Sequence, residues 1–512
     1  MSKPTETGID ARAPALSSRG GPGLLRTPLP YRVADGVTEG LLYALVVFTP
    51  WAFGTTQEWA MWTMNVGGYL LGAALATKWV VRWRTGYRPA RWGTGAHQGL
   101  VVALAILSGL IVAWCLVSAI NARAVYLPRE SRFEYREHYL AWLPHSYNAP
   151  SSWFAFWLYL GLACTFWATR DWLVGQARRE RHASAHASSA SPRGEGEVVP
   201  GVLPARLRRL LWVLCLNGVL LACEGILQRL DGTNKLLWLV VPRINNTSES
   251  QFGPYAYRSN AAEYLNLVWP VCLGFWGALQ LDRRGARRVT RRAGGSPHAL
   301  LVPCAVLMAA GPVVSTSRGG ALIAAGSMVI AITALVLASR GRRWLQLGVL
   351  GVLGAGLGLG AYLGWAQLYA RFQTVFTDNL SDRTTIYTNA RQMVSDYGWL
   401  GSGPKTFGPL YPLYLADAHQ RLQWYAHDDW LETRITFGTL GLLLILAAWL
   451  LAAGRWFLPG GIPAPWVFAG LLGVGLGGGL LHARLDFPLQ VCSVLLVFLL
   501  LTCIASTLSR TG

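Results

Sequence analysis

Between residues 37 and 507 the chain repeatedly turns apolar for about 17–22 residues at a time, the length that crosses the hydrocarbon core of a bilayer. This restricts the available folds more than any other feature. Twelve such stretches stand out: 37–54, 60–81, 99–120, 152–169, 210–229, 260–281, 299–314, 319–338, 344–365, 435–453, 464–481 and 489–507. With 53% hydrophobic and 14% charged residues, the composition excludes an ordinary soluble domain. The expectation is an all-α polytopic membrane protein of about twelve transmembrane helices. Residues 1–36 are polar and rich in Pro, Gly and Arg, with no apolar core of a signal peptide, so they read as a disordered tail and the first span as a retained anchor.

Lys and Arg fix the orientation. Placing the N-terminus inside puts 29 of the 45 basic residues on the inner side and 16 on the outer, so both termini are expected in the cytoplasm. The basic run "RRGARRVTRR" (283–292) then lies on a cytoplasmic loop, where anionic lipid explains it and nucleic acid is not needed as a partner. Residues 175–209, which include the Ser/Ala/Gly-rich "ARRERHASAHASSASPRGEGE" (177–197), read as a flexible cytoplasmic loop. The eight cysteines all fall within the apolar stretches and suggest neither a disulfide framework nor a metal cluster. The glycine-rich "GVLGVLGAGLGLGAYLG" (348–364) reads as a close-packing helix face.

The chemistry gathers outside. Three outer regions are long, 121–151, 230–259 and 366–434, and the last is expected to form a subdomain with short helices, including one over 382–398. The domain plan is therefore a tail (1–36), nine spans (37–365), the outer subdomain (366–434) and three final spans (435–512). Arg318 stands in a short turn between two spans, where a charge is costly unless an anion uses it or the side chain snorkels to headgroups. Arg258, Arg383 and Arg391 are further outer basic candidates. The stretch "WYAHDDWLETRITFGTLGLLL" sets His427, Asp428, Asp429 and Glu432 at the mouth of a span. A helix beginning near His427 would put Asp428 and Glu432 on one face and the histidine on another. Asp428 then either orients the imidazole through a neighbouring turn or occupies the first turn as a helix-terminal carboxylate. His482, Arg484 and Asp486 form another outer group, with Asp486 a candidate supporting residue. Glu224 lies within a span, where an acid has either a pathway role or a hydrogen-bonded neighbour.

Four segments, in this order, resemble the O-antigen ligase and O-antigen polymerase superfamily of bacterial membrane glycosyltransferases: "RSNAAEYLNLVWP" (258–270), "STSRGGALIA" (315–324), "DRTTIYTNARQMVSDYGWLGSGPKTFGPLYP" (382–412) and "AHDDWLETRITFGTLGLL" (426–443). The later "HARLDFPLQ" (482–490) is also similar to the family's C-terminal end. The resemblance covers roughly the second half of the chain. It implies an undecaprenyl-diphosphate-linked glycan as donor, and a lipid A-core or another lipid-linked repeat as acceptor. It also implies an active site on the periplasmic face of the inner membrane, which makes 366–434 a periplasmic loop. By the same resemblance Arg318 and Arg258 bind the diphosphate and His427 acts on the acceptor hydroxyl, while Arg383 is a candidate supporting residue from the outer loop. Asp428 stands where the family often has Asn.

These roles agree with the chemistry. Cleaving a sugar–phosphate bond builds charge on the departing diphosphate, which guanidinium groups can stabilise, and imidazole is suited to accept the acceptor's proton. The outer loops contain no Asp-x-Asp pair, so a metal-independent enzyme without a cofactor is expected. A protein acceptor is a variant of the same reading. The competing class is a twelve-helix secondary transporter, but no matching pair of broken helices appears in the two halves.

Overall fold

A computed structural model describes residues 27–92, 98–177, 180, 203–287, 297–338, 343–373, 379–416 and 422–510. The molecule is mostly helical. In chain order the principal helices are α1 (Leu29–Trp51), α2 (Glu58–Thr85), α3 (Gln98–Ile120), α4 (Ala149–Leu173), α5 (Ala205–Asp231), α6 (Arg258–Arg287) and α7 (Leu301–Val314). They continue with α8 (Arg318–Ala338), α9 (Arg343–Gln373), α10 (Asn379–Tyr397), α11 (Asp429–Gly454), α12 (Trp466–His482) and α13 (Cys492–Thr507). Two small strand pairs complete the fold, antiparallel β1 (Ala124–Leu127) with β2 (Arg132–Tyr135), and parallel β3 (Ile462–Ala464) with β4 (Leu508–Arg510).

Each of the twelve apolar stretches overlaps one helix. Among the described residues six helices are long and apolar enough to cross a membrane: α1, α3, α5, α6 over Arg258–Leu281, α8, and α11 over Asp429–Phe457. The helices of His298–Val314, α12 and α13 are apolar but shorter. Boundaries differ from expectation in three places. α1 begins at Leu29, inside the expected 1–36 tail, because Pro28 and Pro30 preset a helical start without needing amide partners. α9 runs on to Gln373, past the expected loop start at 366. α11 begins at Asp429, ahead of the expected span at 435. Most of the expected flexible loop at 175–209 lies outside the described residues.

α6 is the central helix, buried along most of its length and packed against α12, α7, α5 and α8. Within lipid, close contact depends on small residues. Gly356, Gly360 and Gly364 on α9 lie against Val306, Ala310 and Val313 of α7, as the glycine-rich face predicts. α11 is broken at Gly438, which has φ 70° and ψ 179°. The turn after α10 docks into that break: Ser402 N donates to Ile435 O (2.8 Å), Gly403 N to Thr436 O (3.0 Å) and Leu440 N to Trp399 O (3.2 Å). A Cβ at Gly438 would stand 2.2 Å from the Trp399 carbonyl, so only glycine permits this approach.

The connections collect at two ends of the bundle. At one end Asp429 N donates to Ala483 O (2.7 Å), Arg229 to Ser315 O (3.2 Å) and Ser152 to Pro404 O (3.2 Å). At the other, Arg206 pairs with Asp35, Arg82 with Asp171 (2.8 Å), and β3 with β4. The residues of interest lie at the first end.

Candidate active site

His427 does not sit on a helix. It precedes the α11 cap with φ 51°, in the left-handed region that a histidine adopts only under constraint. This corrects the expectation of a helix starting near 427, and the reason is Asp428. Its side chain caps α11, accepting from Trp430 N and Leu431 N (both 3.1 Å), and its other oxygen pairs with Arg484. A residue so engaged is not placed to orient the imidazole. Asp429 stitches the same turn to the α12–α13 connection, its amide donating to Ala483 O and Asp486 O and its carboxylate accepting from Leu489 N (2.8 Å).

That stitching brings Asp486 to His427. The imidazole Nδ1 is 2.9 Å from Asp486 Oδ1. Asp486 Oδ2 accepts from the Tyr257 hydroxyl (3.0 Å), and the Arg383 guanidinium is 3.9 Å from the same oxygen. Arg383 also donates to the Leu485 carbonyl (2.9 Å). Burial alone would raise the Asp486 carboxyl. The hydrogen bond and charge of His427, with Arg383, outweigh it and hold the group well below the ordinary carboxylate range. An ionised Asp486 can only accept, so His427 Nδ1 is the donor, and in the neutral imidazole Nε2 would be the proton acceptor. The His427 side chain is 21% exposed, enough for a substrate to reach.

Arg318 joins the group from α8. Ser317 caps that helix, accepting from Gly320 N (3.2 Å), and Thr316 before it has φ 59°. A Cβ at Gly319 would stand 3.2 Å from His482 Nε2, and one at Gly320 would stand 2.5 Å from Ala262, so the glycines let the turn approach α12 and α6. Arg318 is half-buried, and its charge interacts with Arg383 and Tyr257. Among the described residues no carboxylate pairs with it.

Arg258 is placed differently. It opens α6 next to Tyr257, but its guanidinium donates to the Glu249 carbonyl. Arg391 is exposed on α10. Glu224 faces Gly253, and among the described residues neither of its oxygens is hydrogen-bonded. Sequence reasoning did not single out Tyr257, Glu263 or Phe487. Phe487 lies between two rings, stacked on Tyr425 (4.3 Å, 11°) and Tyr257 (5.3 Å, 5°), with His427 edge-on at 4.8 Å. Glu263 and His482 form a buried pair at 2.6 Å, and His482 Nε2 reaches Ser259 (3.2 Å), itself 3.4 Å from Ser317. His482 therefore underlies both the Arg318 turn and the Asp486 turn, whose amides donate to its carbonyl (Leu485 at 2.8 Å, Asp486 at 2.9 Å). A carboxylate five residues into "RSNAAEYLNLVWP", within an apolar helix, was the available signal for this pair.

Residues 303–446 match the family model described as O-antigen ligase, a stretch that contains Arg318, Arg383, His427 and Asp428. This match supports a place in the O-antigen ligase/polymerase superfamily. No curated protein matches the chain. The matched family suggests, in broad terms, a membrane glycosyltransferase-type enzyme and lipid-linked glycan substrates. The superfamily segment ends before Asp486, so the histidine lies inside it and its carboxylate partner outside. Among the described residues no three His, Cys, Asp or Glu side chains are arranged to hold a metal ion.

Proposed function

We propose that this O-antigen ligase-family chain transfers a glycan from an undecaprenyl-diphosphate carrier to a sugar hydroxyl at the periplasmic face of the inner membrane. The acceptor is a lipid A-core or a second lipid-linked repeat. In this reading α1–α9 and α11–α13 cross the membrane, both termini are cytoplasmic, and residues 374–428 form the periplasmic subdomain. The lipid tail stays in the bilayer. Arg318 and Arg383 bind the diphosphate, with Arg383 taking the part that the resemblance assigned to Arg258.

The observation that carries this reading is the 2.9 Å His427–Asp486 pair beside two guanidinium groups. His427 Nε2 takes the proton of the acceptor hydroxyl. The hydroxyl oxygen bonds to the anomeric carbon, the bond from that carbon to the diphosphate oxygen breaks, and its electron pair leaves on the diphosphate. The guanidinium charges offset the negative charge as it develops, and Asp486 stabilises the imidazolium. No metal is required in this scheme because the arginines carry the electrostatic role.

The test is to incubate the purified full chain with a defined undecaprenyl-diphosphate oligosaccharide, with and without a lipid A-core acceptor, and to separate products by mass. A longer glycan or a glycosylated core, with release of undecaprenyl diphosphate, is expected, and His427→Ala should abolish it. Full transfer by His427→Ala, or no transfer by the unaltered chain to either acceptor, would overturn the reading.

A further inference from the structure

We propose that a cavity beside Tyr425 is a saccharide subsite that holds the acceptor glycan away from the diphosphate arginines. The cavity has a volume of about 570 Å³, within the range of small-molecule sites. It lies at the same end of the bundle as His427, between the α1–α2 turn, the first turn of α4, the loop after α10 and the start of α11.

Its lining suits a sugar. A pyranose presents an apolar C–H face and a rim of hydroxyls, and is matched by aromatic faces set among hydrogen-bonding groups. Trp424 and Tyr425 supply rings, and Ser151 and Gln490 supply polar groups. Trp424 is 66% exposed yet fixed in place: a Cβ at Gly408 would stand 2.7 Å from its Cε3. An exposed indole already held against backbone loses little freedom on binding. The charge differs from that around Arg318. The cavity's lysine, Lys405, interacts with the Glu432 carboxylate in the same wall, so a neutral glycan fits here better than a diphosphate.

Segment 485–490 sets the order of parts. Leu485 accepts from Arg383, Asp486 holds His427, Phe487 stacks on Tyr425, and Gln490 lines the cavity. Arginines, base, aromatic stack and cavity follow one another. In a single inverting displacement the nucleophile approaches the sugar from the face opposite the leaving group. With the arginines at one end of this segment and the cavity at the other, the cavity is the place for the acceptor.

This assignment rests on the proposed transfer reaction, so the test reads binding as well as turnover. The full chain, Trp424→Ala and Trp424→Phe are assayed with an undecaprenyl-diphosphate oligosaccharide donor and a lipid-free core oligosaccharide acceptor. Separately, saturation-transfer NMR measures binding of that oligosaccharide without donor. Trp424→Ala should raise the acceptor KM roughly ten-fold more than the donor KM and remove the saturation-transfer signal, while Trp424→Phe restores much of both. A rise in donor KM instead, or unchanged acceptor binding in Trp424→Ala, would overturn the subsite. If His427→Ala keeps full transfer, the reaction scheme fails, while loss of oligosaccharide binding in Trp424→Ala still supports the cavity.

Discussion

The two ends of the helix bundle use the same kinds of charged residue to opposite effect. At the end away from His427, Asp171 takes Lys78 (3.0 Å), Arg82 (2.8 Å) and Arg91 (2.7 Å), while Asp35 takes Lys78 (3.5 Å) and Arg206. Lys78 is fully buried there, and α1, α2, α4 and α5 are tied together. At the His427 end one carboxylate, Asp486, serves both His427 and Tyr257, Arg383 stands 3.9 Å off, and among the described residues Arg318 has no acidic partner. A cation saturated by carboxylates is a staple. A half-buried cation facing another cation is costly until an anion arrives, which is the condition a diphosphate site needs.

The largest effect expected from this contrast is at Arg318. Arg318→Ala should lower kcat by roughly 10²–10³, the range for removing one group that stabilises developing negative charge, with no loss of thermal stability. Loss of stability without loss of turnover would make Arg318 another staple. Asp171→Asn should do the reverse, costing about 3–5 kcal/mol of stability by breaking a buried pair and leaving kcat within roughly twofold. Thermal unfolding in detergent alongside the transfer assay checks both.

A smaller effect sharpens the comparison within the site itself. Asp428→Ser keeps a good N-cap, so it should cost about 1 kcal/mol or less and leave turnover within a fewfold, because Asp428 caps α11 and does not touch the imidazole. A drop matching that of a base mutant would return Asp428 to the orienting role.

The smallest effect is in pH. The Asp486 carboxyl is held below its usual range, so its contribution to stability is complete above the unfolded carboxylate value, about 3.9, and fades as pH falls through the lower folded value. The difference in melting temperature between the unaltered chain and Asp486→Asn should therefore shrink only as pH falls below about 4. A difference that already shrinks near pH 6 would mean that Asp486 is not held ionised by its neighbours.

The sequence foretold the mostly helical architecture, because an apolar run of spanning length leaves few conformations open, and it pointed to Arg318 and His427 because their motifs are local. It did not foretell the break in α11. Gly438 is one glycine in "RITFGTLG", and its positive φ has meaning only once the turn after α10 docks against it. Nor did it foretell which carboxylate serves the histidine. Asp428 is adjacent in sequence but committed to the helix cap, whereas Asp486 is 59 residues away and is delivered by the hydrogen bonds of Asp429 to the α12–α13 turn. Arg258 shows the converse: a basic residue in a family-like segment whose side chain is taken up by the Glu249 carbonyl. Local motifs indicate which residue types are present, and long-range backbone contacts decide which of them meet.

The central claim is that His427 and Asp486 act as one unit, and a double-mutant cycle on the transfer rate tests it most directly. His427→Ala and Asp486→Asn should each lower kcat by roughly 10²–10⁴, and the double variant should be no slower than His427→Ala alone, since the carboxylate works only through the imidazole. Multiplying losses in the double variant, or an Asp486→Asn protein that transfers glycan at the full rate, would contradict the account.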